Sequence, residues 1–360
     1  MKNIRAVILA GGRGTRLGPI TDGMPKPLVP VMGKPVLSHI LSLLSRHGIR
    51  EAVLTLGYRA EDIMDYLDEC GTEGVHLRCR QEEKPLGTAG ALRDLAGYLT
   101  DPFLVISGDA MTDYDLTAAI DYHERKGALG TILTSESTDP HEFGVIERDG
   151  NGKIVRFVEK PPRGTYSSAE INAGIYILNK SVLSLIERDR ATDFSRDLFP
   201  VLLGSLYACR LPGYWCDIGQ PDSYLACHKD ALAGKIRSIP AAPFYRGTGG
   251  KTGSDTRISW GSVIGDHVTL ADGADIRGAV LMDGVTVGES AVIAGAVLCP
   301  GVRVGANAVI RDGAVIGKNT VIGEDVVVER GERIPAESAI FLAETERKTR
   351  ENEKKEAENR

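Results

Sequence analysis

The sequence predicts an α/β protein in two parts, a domain on a mixed, mostly parallel sheet followed by a parallel β-helix. Three observations carry this expectation. Short apolar runs alternate with amphipathic stretches over residues 1–232. A Pro/Gly-rich stretch, 233–257, then breaks the pattern, and from 258 to 340 aliphatic residues return with small residues at roughly six-residue spacing. A chain of 360 residues is also longer than one core usually serves.

In the first part, Ala6–Leu9, Glu51–Leu56, Phe103–Ile106 and Ile171–Leu178 read as buried strands. Val36–His47, Ala60–Leu67 and Thr88–Leu95 have helical spacing. Strands alternating with helices imply βαβ units, whose ligands gather at the carboxyl ends of the strands. The stretch 233–257 reads as a linker. Its Gly250-Lys251-Thr252 is a false phosphate-loop match, because Tyr245 stands where the motif needs glycine.

In the second part, Val263-Ile264-Gly265, Gly278-Ala279-Val280, Gly295-Ala296-Val297, Gly313-Ala314-Val315 and Val321-Ile322-Gly323 repeat. A period of six suits flat β-helix faces with small corner residues, and resembles the left-handed hexapeptide-repeat helix. Its one histidine, His267, reads as structural, so acyl transfer is not expected of this domain. Residues 341–360 read as a charged tail.

Composition narrows the partners. A net charge of -6 argues against general affinity for nucleic acid or anionic membrane. No apolar run approaches the ~20 residues of a spanning helix, and no secretory leader is evident. The six cysteines form no Cys-x-x-Cys pair and read as free thiols in a reducing cytoplasm.

The chemistry starts at Leu9-Ala10-Gly11-Gly12-Arg13-Gly14-Thr15-Arg16-Leu17, directly after the first strand. Glycines there let backbone amides approach phosphate oxygens, and Arg16 offers a fork of donors to a triphosphate. Pro25-Lys26-Pro27 places Lys26 on a rigid turn nearby in sequence. Further along come Pro85-Leu86-Gly87-Thr88-Ala89-Gly90, Gly108-Asp109, Phe143-Gly144-Val145, Glu159-Lys160-Pro161, Asn172-Ala173-Gly174 and Trp215-Cys216-Asp217-Ile218-Gly219.

In content and order these elements resemble the sugar-1-phosphate nucleotidyltransferases, most closely the mannose-1-phosphate guanylyltransferases. The resemblance implies a Rossmann-like catalytic domain in which a sugar phosphate oxygen attacks the α-phosphate of a nucleoside triphosphate and pyrophosphate leaves. It implies catalytic roles for Arg16, Lys26 and Asp109, with Arg16 on the β/γ-phosphates. It implies Mg²⁺ held by Asp109 and Asp217, a hard-oxygen set suited to that ion. Leu9, Ala10, Gly11, Gly12, Gly14, Thr15, Arg16, Glu82, Gly87 and Thr88 would bind the nucleotide, and Gly144, Glu159, Lys160 and Asn172 the sugar phosphate.

A carboxylate can accept both donors of a guanine edge, whereas an amide better suits uracil or thymine. Glu82 is the expected base reader, with Gln81 and Glu83 as rivals one residue away. Gly-Thr-Ala-Gly-Ala-Leu resembles the mannose-1-phosphate enzymes, where uridylyltransferases more often carry His at Gly90. GTP with mannose 1-phosphate is therefore the expected pair. Glucose-1-phosphate thymidylyl- or uridylyltransfer and a heptose 1-phosphate acceptor are the alternatives. A non-catalytic nucleotide-sugar sensor is a reading from another class, which retention of Arg16, Lys26, Asp109, Lys160 and Asp217 disfavours. The β-helix is expected to serve assembly into a homo-oligomer.

Overall fold

In the computed structural model, described for residues 4–82, 84, 86–187 and 190–343, the chain divides into two compact units. One holds residues 4–13, 25–29 and 34–217. The other holds 14–24, 30–33 and the described residues from 218 onward. The charged tail from residue 344, and Glu83 among the rivals for base reading, lie outside the described residues.

The first unit is built on a mixed nine-stranded sheet. Its strands are β1 (Arg5–Ala10), β2 (Glu51–Leu56), β3 (His76–Gln81) and β4 (Phe103–Ser107). After β5 (Ala110–Thr112), which lies outside that sheet, come β6 (Gly130–Glu136), β7 (Gly144–Arg148), β8 (Ile154–Glu159), β9 (Glu170–Leu178) and β10 (Leu206–Arg210). The order is β8-β7-β9-β4-β1-β2-β3, and β6 pairs with both β9 and β10. From β4 to β3 the strands run parallel, and β9 turns antiparallel against β4, β6 and β7.

Apolar side chains on both faces explain why these runs are central strands. Val7, Val53, Phe103 and Val105 join Ile132, Ile146, Tyr176, Phe194 and Phe199 in one buried core. The helices Val36–Arg46 and Ala60–Cys70 bury Ile40, Leu41 and Leu44, and Ile63 and Leu67, at helical spacing. The helix expected over Thr88–Leu95 is broken into a single α turn, Gly87–Gly90, and a 3₁₀ turn, Ala91–Arg93. The chain tightens beyond that first turn, where the amides of Leu95 and Ala96 reach back only three residues, to Leu92 and Arg93. In the first turn the amides of Ala89 and Gly90 donate to the Thr192 carbonyl.

The second unit carries three parallel stacks of six, six and five strands, the architecture of the left-handed hexapeptide helix. Ile264, Leu281, Leu298, Ile316 and Ile334 form one inward column, and Leu270, Val287, Val304 and Ile322 another. Ile276, Ile293, Ile310 and Val328 line the third face. Small Ala274, Ala279, Ala291 and Ala296 fill the space beside the corners. His267 sits at such a corner with φ 57°. The stack begins inside the stretch expected as a linker. Tyr245–Arg246 pairs with Val263–Ile264, and Lys251–Thr252 pairs with Thr269–Leu270. The first coil has Arg246 and Thr252 where the next has the inward Ile264 and Leu270, which hides it from a reading by hydropathy.

Residues 14–24 are part of this second unit. The short helix Pro19–Asp22 packs against Val315–Ile316, and the Cys299 thiol lies 3.8 Å from the Pro19 carbonyl. Among the described residues, no helix is long and apolar enough to cross a membrane.

Candidate active site

The registers of the parallel strands bring four loops to one edge. Ala10 aligns with Leu56, Leu56 with Gln81, and Leu9 with Ser107. Gly11, Gly57, Glu82 and Gly108-Asp109 therefore leave the sheet together, as expected of strand carboxyl ends. The Gly108 amide donates to the Leu9 carbonyl at 2.8 Å. A Cβ on Gly108 would stand 2.7 Å from that oxygen, so β4 approaches β1 here only because the residue is glycine. Leu9 is half-buried and Ala10 buried, while Gly11 and Gly12 face solvent.

The rest of the glycine-rich loop is described in the second unit. Gly14 has φ 67° and opens the 3₁₀ turn Thr15–Leu17. Its carbonyl accepts from the Leu17 amide at 3.0 Å and from the Thr21 hydroxyl at 3.0 Å. Thr15 and Arg16 are exposed, and the Arg16 carbonyl accepts from Nη1 of Arg333 at 3.2 Å.

Three charged groups expected from sequence meet directly. Pro25 and Pro27 fix the turn Lys26–Leu28 and aim the Lys26 side chain inward, where it is buried. β11 (Trp215–Asp217) pairs antiparallel with β5, placing Asp217 opposite Ala110 and hence beside Asp109. The Lys26 ammonium donates to Asp109 Oδ2 at 2.6 Å and reaches Asp217 Oδ1 at 3.4 Å. The Ser107 hydroxyl, which no sequence motif singled out, donates to the other oxygen of Asp109 at 2.5 Å. Trp215 locks β11 in place, donating Nε1–H to the Ala173 carbonyl at 2.8 Å and meeting the Phe143 ring edge-on.

Two carboxylates converging on one cation form a pair fit for a divalent ion, with phosphate oxygens and water as further ligands. Among the described residues there is no cluster of three or more His, Cys, Asp or Glu able to enclose a metal unaided.

Of the residues expected at the nucleotide, Glu82 is half-buried at the end of β3, and its carboxylate accepts from the Leu86 amide at 3.3 Å. Burial pushes its pKa up, partly opposed by that hydrogen bond. Thr88 and Gly87 lie on the turn that follows, both exposed. Of the residues expected at the sugar phosphate, Gly144 pairs with Glu159 across β7 and β8. A Cβ on Gly144 would stand 2.9 Å from the Glu159 carboxylate. Burial raises the Glu159 pKa, opposed by the Ser195 hydroxyl. Lys160 is exposed, with φ 46° and its amide donating to the Phe143 carbonyl. Asn172 donates to the Tyr176 hydroxyl at 3.0 Å and accepts from the Gly174 amide at 2.9 Å. The segment around Asp193 and Ser195 was missed by sequence reading. Its one local signal was an aspartate ahead of a short apolar turn, a helix-cap pattern.

Comparison with known proteins agrees with this geometry. Residues 5–234 match the family model described as nucleotidyl transferase, and residues 243–337 match the one described as GMPPB C-terminal domain. The chain is 35% identical over 301 residues to the UTP–glucose-1-phosphate uridylyltransferase of Synechocystis sp., covering 76% of this chain and 77% of that one. It is 35% identical over 298 residues to mannose-1-phosphate guanylyltransferase 1 of Arabidopsis thaliana, covering 76% and 82%. The crystal structure of HddC from Yersinia pseudotuberculosis complexed with GMP-PN superposes with a TM-score of 0.56 at 30% identity, covering 63% of this chain and 99% of that one. Motif order, a mixed sheet with its loops on one edge and these matches lead to one conclusion: the chain belongs to the nucleotidyl transferase family, as a sugar-1-phosphate nucleotidyltransferase.

Proposed function

We propose that this enzyme transfers GMP from GTP to mannose 1-phosphate, giving GDP-mannose and pyrophosphate. The observation that carries the base assignment is Glu82, a half-buried carboxylate at the mouth of the loop after β3. A carboxylate there can accept from the N1–H and exocyclic amine of guanine, and would leave uracil's acceptors facing an acceptor. Relatives named as guanylyltransferases support the same pair.

In this reading the glycine-rich loop offers backbone amides to the triphosphate, and Arg16 stabilises the departing pyrophosphate. Lys160 grips the phosphate of the sugar, Glu159 and Asn172 meet the sugar ring, and Gly144 lets the backbone approach it. Asp109 and Asp217 would hold Mg²⁺. When bound, that ion supplies charge neutralisation to the phosphate oxygens. Lys26 offsets one of the two carboxylate charges and stands ready to share its own charge with the α-phosphate. Little covalent work falls to the protein, so alignment and charge placement carry the rate. We further propose a homo-oligomer assembled through the β-helix, acting in the reducing cytoplasm, in keeping with six free cysteines.

Pyrophosphate release with Mg²⁺, crossing GTP, UTP, dTTP and ATP with mannose and glucose 1-phosphates, tests the reading. GTP with mannose 1-phosphate should give the highest kcat/KM, and Asp109→Asn should cut kcat at least about a hundredfold. Preference for UTP and glucose 1-phosphate would sink the substrate pair while keeping the enzyme class. Silence across the grid from folded protein that still binds nucleotide would favour a sensor.

A further inference from the structure

The turn that carries Arg16 lacks one of its own hydrogen bonds, and the cause is in the sequence. Within Thr15–Leu17 the Leu17 amide donates to the Gly14 carbonyl at 3.0 Å, and the Gly18 amide to the Thr15 carbonyl at 3.1 Å. The next donor in that series would be residue 19, which is proline and has no N–H. The Arg16 carbonyl takes a donor from the β-helix instead, accepting from Nη1 of Arg333 at 3.2 Å.

Arg333 is itself the exception in its column. Val263, Val280, Val297 and Val315 follow one another in register on the outward side of one stack, all buried, and Arg333 takes the next place and is exposed. The change falls where residues 14–24 lie across the stack. Pro19–Asp22 packs on Val315–Ile316, and one coil further on the Arg333 side chain passes Gly18. A Cβ on Gly18 would stand 3.3 Å from that same Nη1 and 3.7 Å from Cδ of Arg333. The bare backbone at Gly18 thus lets the arginine run close beside it to the Arg16 carbonyl.

We propose that Arg333 is a positioning residue for Arg16. Gly14 (φ 67°) and Gly18 (φ 58°) bracket the turn, so its own backbone sets its orientation only weakly. The hydrogen bond from Arg333 fixes that orientation, and with it the direction from which the Arg16 guanidinium meets the β- and γ-phosphates. A coil of the β-helix thereby sets the grip on the departing pyrophosphate. This rests on the phosphate role proposed above for Arg16.

Equilibrium titration of the full chain with GTP, GMP and pyrophosphate, each with Mg²⁺, separates positioning from a merely structural role. Arg333→Ala should bind GTP and pyrophosphate about tenfold more weakly, the scale of one hydrogen bond from a charged donor. GMP lacks the outer phosphates, so its affinity should stay within about twofold of the wild type. Arg333→Lys keeps a charged donor on a long stem and should recover most of the loss. In an Arg16→Ala background, Arg333→Ala should weaken GTP by no more than about twofold, because the group it positions is gone. The inference is overturned if Arg333→Ala binds GTP as tightly as the wild type, if GMP weakens as much as GTP, or if the two substitutions add in full. Failure of the underlying reading has its own signature. An Arg16→Ala variant that keeps wild-type affinity for GTP and pyrophosphate sinks the phosphate role of Arg16, and the positioning by Arg333 with it. A weakened Arg16→Ala beside an unmoved Arg333→Ala sinks the positioning alone.

Discussion

At Lys26 a buried ammonium contacts two carboxylates that stand far apart in the sequence, and offsets one of their two negative charges. That trio was legible in advance because each member sits in a motif of fixed order. Ser107 was not, since nothing in its neighbourhood shows that its hydroxyl meets Asp109. Asn172 is a middle case. Its carbonyl and one amide hydrogen are engaged within β9, but an amide has two hydrogens and two lone pairs, so capacity remains for a sugar hydroxyl. The sharpest residue-scale prediction concerns Glu82. Glu82→Gln keeps the shape and replaces one acceptor oxygen with a donor. The ratio of kcat/KM for GTP over UTP should fall at least about tenfold, with the melting temperature changed little. An unchanged ratio would move base reading to Gln81 or Glu83.

Elements explain what periodicity could not. β1, β2, β4 and β9 stood out as apolar runs because each is buried on both faces. β3 did not, because most of its residues are exposed and it ends the parallel order. The turn after it looked helical, but its first amides are held by the Thr192 carbonyl, a partner about a hundred residues away that local spacing cannot register. Gly87 makes that contact possible. It has φ 74°, and a Cβ there would stand 2.5 Å from the Thr192 carbonyl oxygen. Gly87→Ala should therefore cost about 1–3 kcal/mol of backbone strain and steric displacement. The observable outcome is a lowered melting temperature with a KM for GTP raised about tenfold, because the turn carrying Thr88 is forced off its partner.

Across the whole molecule, the two rhythms of the sequence correctly announced an α/β sheet and a β-helix, because both rest on repeated burial. What the rhythms could not announce was membership: residues 14–24 and 30–33, early in the chain, group with the C-terminal unit. Burial of the cysteines gives a test of this architecture. Cys70 and Cys79 are exposed, whereas Cys209, Cys227 and Cys299 are buried. Desolvation pushes the Cys209 thiol up to about 11 and Cys299 to about 12. At pH 8 a thiol-reactive disulfide should label Cys70 quickly and Cys79 more slowly, since burial also raises its pKa. Cys209, Cys227 and Cys299 should label only on unfolding, as peptide mapping would show. Early labelling of Cys299 would mean that Pro19–Asp22 does not stay seated on the β-helix. The Arg333–Arg16 contact carries the same arrangement into the order of synthesis. The Arg16 carbonyl leaves the ribosome 317 residues ahead of the side chain that fastens it. A nascent chain must therefore carry its glycine-rich loop unfastened until the coil that holds Arg333 emerges.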